Sequence, residues 1–200
     1  MAQDIKEYRG IENLVYAEVT KDDASEYTCG TVKSLAGVAE LSKETESSSE
    51  AHYYDNKPLI VINTQSEDTV TIQASVLSLQ TLADITGRTY DSTKGLFVEG
   101  ERENKYFAIG YKTKATDGTY RYVWRLKGIF AIPNDQHTTE NDGTDANGQE
   151  LVFTGISTTH KFTNADNDGA YAIVVEGEKT TDASFFASVQ DPDTFTPVSG

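Results

Sequence analysis

The sequence has few of the residues that usually stabilise a small domain. It contains one cysteine, Cys29, which excludes an intramolecular disulfide framework. Hydrophobic residues make up 37% of the chain and its mean hydropathy is −0.50, both low for a self-contained globule. No apolar stretch approaches the length of a membrane span, and the N-terminal residues lack the apolar core of a signal peptide. We therefore expect a protein made in a cytoplasm, with no membrane contact, whose fold is completed by neighbours.

Basic residues are also scarce. Lys and Arg number 17 against 32 Asp and Glu, for a net charge of −15. Such a chain repels nucleic acid and anionic membranes. The exception is residues 106–132, where five basic residues stand against one acidic residue. This local basic segment predicts contact with an acidic protein surface.

Motifs of catalysis and of metal binding are missing. The histidines His52, His137 and His160 are scattered without zinc-ligand spacing, and no phosphate loop, dinucleotide fingerprint or nucleophile elbow occurs. Residues 164–169 imitate the start of a calcium loop, but Val175 stands where the bidentate glutamate belongs, so a turn between strands is favoured. We predict no enzyme activity, no catalytic residue, no metal site and no cofactor.

The strongest pattern is a hairpin at residues 106–132. Asp117-Gly118 separates two runs rich in aromatic and β-branched residues and readily forms a type I′ turn. Such a turn would place Tyr111 opposite Trp124. Strand side chains alternate, so one face would be apolar: Phe107, Ile109, Tyr111, Tyr122, Trp124 and Leu126. The other would be a basic face for protein contacts: Lys112, Lys114, Arg121, Arg125 and Lys127.

Further strands are predicted on both sides of this hairpin, at residues 14–20, 27–32, 58–63, 69–75, 151–162 and 170–176. The run PLIVIN at 58–63 is continuously apolar, which is typical of a strand buried on both faces. The last two strands are expected to pair across the turn at 164–169. Residues 1–13 are polar and predict an N-terminal arm.

Two short helices are predicted. Ser78 is a suitable N-cap and Gly87 a suitable C′ residue, and the stripe between them consists of Leu79, Leu82 and Ile85. A second helix would start at Thr181 and Asp182 in the C-terminal extension, residues 177–200, and would carry Ala183, Phe185, Phe186 and Val189. Phe185 and Phe186 are expected to be exposed and available for docking.

Two acidic stretches interrupt these elements. Residues 37–57 predict a projecting acidic loop with a flexible centre at Ser47–Ser49, although the alternating flanks also fit a long projecting hairpin. Residues 133–150 predict a second long acidic loop. The first loop is the candidate contact between subunits or between rings, through Glu44, Glu46, Ser48, Glu50, Tyr53 and Asp55.

These elements predict one domain over residues 1–200. The fold class is mainly β: a β-sandwich or partial barrel of two packed sheets with one short flanking helix. Surplus strand, acidic loops and a basic ribbon within one chain favour head-to-tail contacts that close into rings or stack into filaments.

Three segments resemble a known family. Residues 107–130, FAIGYKTKATDGTYRYVWRLKGIF, are similar to an aromatic strand, glycine-containing turn and RYVW strand of the major tail proteins, or tail tube proteins, of long-tailed bacteriophages, especially those of Gram-positive bacteria. Residues 40–56 resemble that family's polar stretch ending in an aromatic and Asp-Asn. Residues 69–87 resemble its strand followed by a Leu/Ala helix. The three matches fall in the family's order.

The resemblance implies a structural virion protein. Six subunits would join their sheet edges into a barrel-like ring, and the rings would stack into a tube that DNA crosses without specific binding. Implied partners are further copies of the chain, a tape measure protein in the lumen, and tail terminator and baseplate or distal tail proteins at the tube ends. Assembly would take place in the host cytoplasm, with a negative lumen and the basic face turned away from it. The alternative is a β-sandwich that binds carbohydrate or a surface, as an adhesin does.

Overall fold

The structure is a computed structural model that describes residues 5–135, 137 and 148–198, apart from the side chains of Pro58, Asn63 and Gln65. Most of the acidic loop predicted at 133–150 therefore lies outside the described residues. The β-strands in the described part of the chain are β1 Tyr8–Asp22, β2 Tyr27–Cys29, β3 Lys33–Ser34, β4 Val38–Tyr54, β5 Lys57–Ala74, β6 Thr89–Asp91, β7 Leu96–Val98, β8 Phe107–Ala115, β9 Tyr120–Phe130, β10 Gln149–Gly155 and β11 Ala172–Glu176. The α-helices there are α1 Leu79–Thr86 and α2 Asp182–Phe185. The prediction of a mainly β fold is confirmed.

The strands form two antiparallel sheets of very different size. The large sheet has the order β2-β1-β8-β9-β10-β5-β4, with β3 beside β1 and β11 beside β9, while β6 and β7 form a separate ribbon. β1 begins at Tyr8, which pairs with Ala115, so the predicted N-terminal arm is already strand from Tyr8 onward.

The last two strands do not pair with each other as predicted. β10 pairs with the C-terminal end of β9, where Phe153 lies opposite Phe130, and β11 pairs with its N-terminal half, where Ala172 lies opposite Arg125. The turn at 164–169 is closed by a single bridge, Phe162 to Asp168. β9 is therefore the strand on which three others converge.

The register of the β8–β9 hairpin differs by one residue from the prediction. Its loop has three residues, since the Ala115 N–H donates to the Thr119 carbonyl at 2.8 Å, and only Gly118 takes a positive φ, of 87°. A type I′ turn needs positive φ at two residues, whereas this three-residue loop needs only one. Gly110, not Tyr111, consequently lies opposite Trp124. A slip of one residue exchanges the faces of one strand relative to the other.

The slip gives the hairpin two apolar faces instead of one. The first core gathers on one face, and its buried members include Leu14, Tyr16, Val70, Ile72, Ile85, Phe107, Ile109, Tyr111, Val123, Phe130, Leu151 and Phe153. The second core gathers on the other, from Ala108, Tyr122, Trp124, Leu126, Phe162, Val175 and Phe185. A Cβ at Gly110 would lie 2.9 Å from the Trp124 ring, so glycine there admits the indole. The predicted single apolar face is therefore wrong.

The large sheet curls around the first core. Its far strands β1 and β4 contact each other although the described residues show no backbone pairing between them. Helix α1 adds Ile85 to this core and has the predicted ends: the Ser78 hydroxyl accepts from the Thr81 N–H at 3.1 Å, and Gly87 takes a φ of 62°. The helix prediction is confirmed, although Leu79 stays 46% exposed.

The C-terminal segment, residues 177–198, covers the second core. Thr181 caps α2 as predicted, through a reciprocal pair of bonds with Ser184, but the helix ends at Phe185, before Val189. Phe185 is fully buried, stacks on Trp124 and accepts a 3.0 Å bond from its Nε1 through the backbone carbonyl. Phe186 is half-buried beside it. The prediction that these two rings are exposed is wrong, because the slipped register presents Trp124 to them.

Candidate assembly surface

The predicted acidic loop at 37–57 is a strand of a long hairpin. β4 pairs with β5 almost residue for residue, and the turn is Asp55-Asn56, where both residues have positive φ. The loop prediction is wrong. The alternative of a hairpin is right only in that the segment belongs to one: its two predicted strands are a single strand, whose partner is β5, and the turn lies at Asp55 rather than at the serines. Asp-Asn followed by an apolar run is a hairpin signal of the same kind as Asn-Gly, and it could have located the turn.

The distal part of this hairpin, residues 46–67, is here named the arm. β10 pairs with β5 only from Ala74 to Asp68, so the described residues offer the arm no third strand. Twelve residues from Asp68 to the turn, at roughly 3.4 Å each, give a projection of about 40 Å. That length exceeds the radius of gyration of a 200-residue domain, about 16 Å. The arm therefore reaches well beyond its own body.

The arm exposes the run that was predicted to be buried. Leu59 is 64% exposed, Ile60 49%, Val61 56% and Ile62 48%. Because strand side chains alternate, these four residues make both faces of the ribbon apolar. The prediction of a strand buried on both faces is wrong for this chain alone, since PLIVIN pairs with polar β4 and with nothing else described.

The residues predicted as the subunit contact are brought together along the arm and its root. Glu44, Glu46, Ser48, Glu50, Tyr53 and Asp55 are all exposed on β4 or at its turn. The Ser48 and Thr64 hydroxyls lie 2.6 Å apart across the ribbon. Residues 44–67 hold five acidic residues and one lysine. The arm is thus apolar and acidic at once, and no described residue of the same chain neutralises its carboxylates.

A buried carboxylate fixes the root of the arm. Asp68 is 3% exposed and accepts 2.7 Å hydrogen bonds from Arg125 Nη1 and from the Thr45 hydroxyl, with Lys43 Nζ at 3.4 Å. The ladder shifts by one residue between Thr45 and Ser47, just beyond this cluster. A β-bulge bends and twists a strand. The ion cluster and the bulge together set the direction in which the arm leaves the sheet.

The predicted basic face does not exist as one face. Lys112 Nζ lies 2.7 Å from Asp182 and 3.2 Å from Glu12, Arg125 binds Asp68, and Lys127 binds Asp22. All three cations are buried within the chain. Their carboxylate partners come from sequence positions 57 to 105 residues away, which no local pattern reveals.

Two of these carboxylates have lowered pKa values. Burial alone would raise the pKa of Asp182, but bonds from Lys112 and Tyr122 hold it below 3.8. Burial would likewise raise the pKa of Asp22, and the bonds from Lys127 and from the backbone N–H groups of Thr159 and His160 lower it instead. Both carboxylates are therefore charged and structural at neutral pH. Of the five residues predicted as a basic face, Lys114 is half-buried and Arg121 is exposed, and the other three are buried. Contact with a partner protein stays a prediction for Lys114 and Arg121.

An open cleft lies between β1 and β4. Its volume is about 680 Å³. This β1–β4 cleft is lined by Tyr8, Gly10, Ile11, Ala39, Glu40, Leu41, Lys43, Tyr111, Thr113, Arg121, Val123, Arg125 and Val174. Arg121 lies at its side with Nη1 2.7 Å from the Tyr8 hydroxyl. The cleft thus combines apolar walls with basic groups, the reverse of the arm's charge.

Reactive groups elsewhere have structural surroundings. Burial raises the pKa of the Cys29 thiol to about 11, which makes it a poor nucleophile at neutral pH. The His160 and Phe162 rings pack edge to face, with centroids 5.0 Å apart, and His160 Nδ1 lies 3.2 Å from the Asp23 carbonyl. In residues 5–135, 137 and 148–198 no group of three or more His, Cys, Asp or Glu could hold a metal ion. No helix in that part of the chain is long and apolar enough to cross a membrane.

No protein-family model matches the chain, and no curated protein matches it in sequence. Its function must therefore be inferred from the arm, the cleft and the sheet edges.

Proposed function

We propose that this protein is a structural subunit that assembles with copies of itself into rings stacked as a hollow tube, as a phage tail tube protein does. The observation that carries the proposal is the arm. A two-stranded ribbon about 40 Å long, apolar on both faces at its far end, is only marginally stable in water unless neighbouring molecules cover it. Contiguous exposed apolar surface of this kind is typical of protein interfaces.

The sheet edges support the same proposal. β4 is 17 residues long and pairs only with β5 among the described residues. A long unpaired edge is a template for pairing with another chain. Four acidic side chains along β4 discourage indiscriminate pairing, and they favour a neighbour that supplies complementary cations. Edge-to-edge pairing that closes into a ring removes the free edges altogether.

The charge of the chain fits a conduit for DNA. Each subunit has a net charge of −15, and a tube of such acidic subunits repels phosphates and would allow a duplex to slide. The buried cations Lys112, Arg125 and Lys127 are neutralised internally, so they add no sites at which DNA would be held. We infer a virion location and a negative lumen on these grounds.

The test is assembly with and without the arm. A variant that replaces residues 49–63 by Asn-Gly keeps Ser48 opposite Thr64 and removes both strands together, so that neither strand is left unpaired. Wild-type protein is expected to form rings and tubes in electron micrographs, and the variant to stay a folded monomer by light scattering and far-UV circular dichroism. A control that shortens the exposed turn between β6 and β7 should assemble normally.

Two results would contradict the proposal. Wild-type protein that stays monomeric at every concentration and salt tried would leave a monomeric binding module as the better account. Normal tubes from the variant without the arm would show that the arm does not hold subunits together.

A further inference from the structure

A buried ion pair lies beside the β1–β4 cleft. Arg125 lines the cleft and is 7% exposed. Its Nη1 binds Asp68 at 2.7 Å and its Nη2 lies 3.5 Å from the Tyr111 hydroxyl, but its buried Nε has no hydrogen-bond partner among the described protein atoms. Because this Nε is buried within the protein, an occupant of the cleft would meet the other lining side chains rather than this atom.

The walls of the cleft define the chemistry that a bound segment must have. Ile11, Leu41 and Val123 give it apolar surface, and Val174 on β11 stands 62% exposed at its rim. Its charged lining residues are Lys43, Arg121, Arg125 and Glu40. Arg125 and Lys43 share the buried Asp68, so Arg121 is the main exposed cation that an occupant would meet. A fitting occupant therefore has aliphatic side chains flanked by carboxylates and backbone or side-chain oxygens.

The arm of this same chain has that composition. Its end carries Leu59 to Ile62, and Glu50 lies directly opposite Ile62 in the ladder. We propose that the β1–β4 cleft is the receptor for the end of the arm of a second copy of this chain. This inference rests on the proposed function, since it names the surface on which the arm docks.

The geometry excludes docking of the arm on its own cleft. Leu41 and Lys43 lie on β4 at the root of the arm, so the cleft is beside the point from which the arm departs. The end of the arm lies about 40 Å farther on, and a continuous two-stranded ladder cannot fold back sharply. A contact between two different surfaces of one chain is head-to-tail, and it closes into rings or continues as filaments.

Cross-linking of cysteines tests the contact directly. In a Cys29→Ser background, Ile60→Cys on the arm and Val174→Cys on the cleft rim change two exposed positions. A short bismaleimide cross-linker is expected to convert the double variant into a ladder of dimers and longer products. Each single variant should give only background dimers. The matched control pairs Ile60→Cys with Leu96→Cys, a 49% exposed position on β7, and should also give background.

A charge change provides a second measurement. Arg121→Glu is expected to slow ladder formation about two- to fivefold, the range for one exposed ion pair, and to do so more than Lys161→Glu, an exposed lysine on another face. Equal slowing by both would contradict Arg121 as a contact of the arm.

The outcomes separate this inference from the proposed function. Tubes in micrographs without a ladder above the Leu96→Cys control would overturn the cleft as receptor and leave the tube proposal standing. A ladder without rings or tubes would support the cleft and overturn the tube. Neither ladder nor assembly would overturn both.

Discussion

The C-terminal segment and the arm are two stretches of about twenty residues that were both expected to serve as interfaces. Residues 177–198 bring Phe185 onto Trp124 and become part of the second core. Residues 46–67 leave Leu59 to Ile62 roughly half exposed. Both segments carry apolar side chains. Whether such a side chain is buried therefore depends on which other parts of the chain lie against it.

Strand length explains the difference. β5 has 18 residues but β10, its other neighbour in the sheet, has seven, so β5 outruns the sheet at Asp68. The C-terminal segment, by contrast, returns across the sheet face that carries Trp124 and Tyr122 and packs Phe185 against both rings. An apolar segment that passes over the sheet is buried in the monomer, and one that extends past the sheet stays exposed in it.

The largest expected effect is in the docked segment. Phe185→Ala should lower the free energy of unfolding by about 3–5 kcal/mol, because a fully buried ring is lost and the space beside Trp124 is not refilled. Urea unfolding of monomeric protein, followed by tryptophan fluorescence, measures it. Ile60→Ser in the arm is the matched control and should change the same quantity by less than about 0.5 kcal/mol. Similar losses of unfolding free energy for the two variants would contradict the idea that only the C-terminal segment stabilises the monomer.

A smaller effect is expected at the root of the arm. Asp68→Asn should cost about 3 kcal/mol, the lower end for breaking a buried ion pair, because Arg125 keeps its charge and loses its carboxylate. The neighbouring exposed change Glu67→Gln should be nearly neutral. Asp68→Asn should also reduce tube formation at concentrations where it is still folded, since the arm loses its fixed direction. A variant as stable as wild type would show that the pair is not required at the root.

The smallest effect is a pH dependence in the docked segment. The pKa of Asp182 is lowered in the folded protein, so its stabilising contribution is complete above about pH 5 and is lost as pH falls below its ordinary value of 3.8. Asp182→Asn should therefore cost about 1 kcal/mol at pH 7, a value reduced by partial exposure, and progressively less below pH 4. Unfolding free energies of both proteins from pH 7 to pH 3 measure this. A difference that stays constant over this pH range would contradict the role of Asp182.

Local chemistry in the sequence predicted local structure well. Ser78, Gly87 and Thr181 cap their helices as expected, since a cap depends on residues within one turn of it. The turn at Asp117-Gly118 was located correctly but its length was not, because one glycine satisfies either a two-residue or a three-residue loop. The one additional loop residue places Trp124 opposite Gly110 instead of opposite Tyr111, and this register creates the second core.

The candidate surface was less predictable than the fold. The acidic residues of the arm were identified from composition, whereas the burial of Arg125 and Lys127 depends on Asp68 and Asp22, which are distant in sequence. The exposure of PLIVIN could not be read from the run itself. A continuously apolar strand shows that something must cover it, and the sequence does not state whether the cover belongs to the same molecule.

Because β9 and β11 follow the arm in the sequence, the arm is synthesised before the cleft can form. The hairpin of β4 and β5 is complete once Ala74 has been made, whereas the cleft also requires Arg121 and Arg125 on β9 and Val174 on β11. About 100 further residues must be translated in between, which takes about 5–20 s at typical translation rates. If the arm docks in the cleft of a second copy, as proposed, a nascent chain exposes its arm before its own cleft has formed. We therefore expect an unfinished chain to bind a finished subunit through its arm, and two unfinished chains not to bind each other.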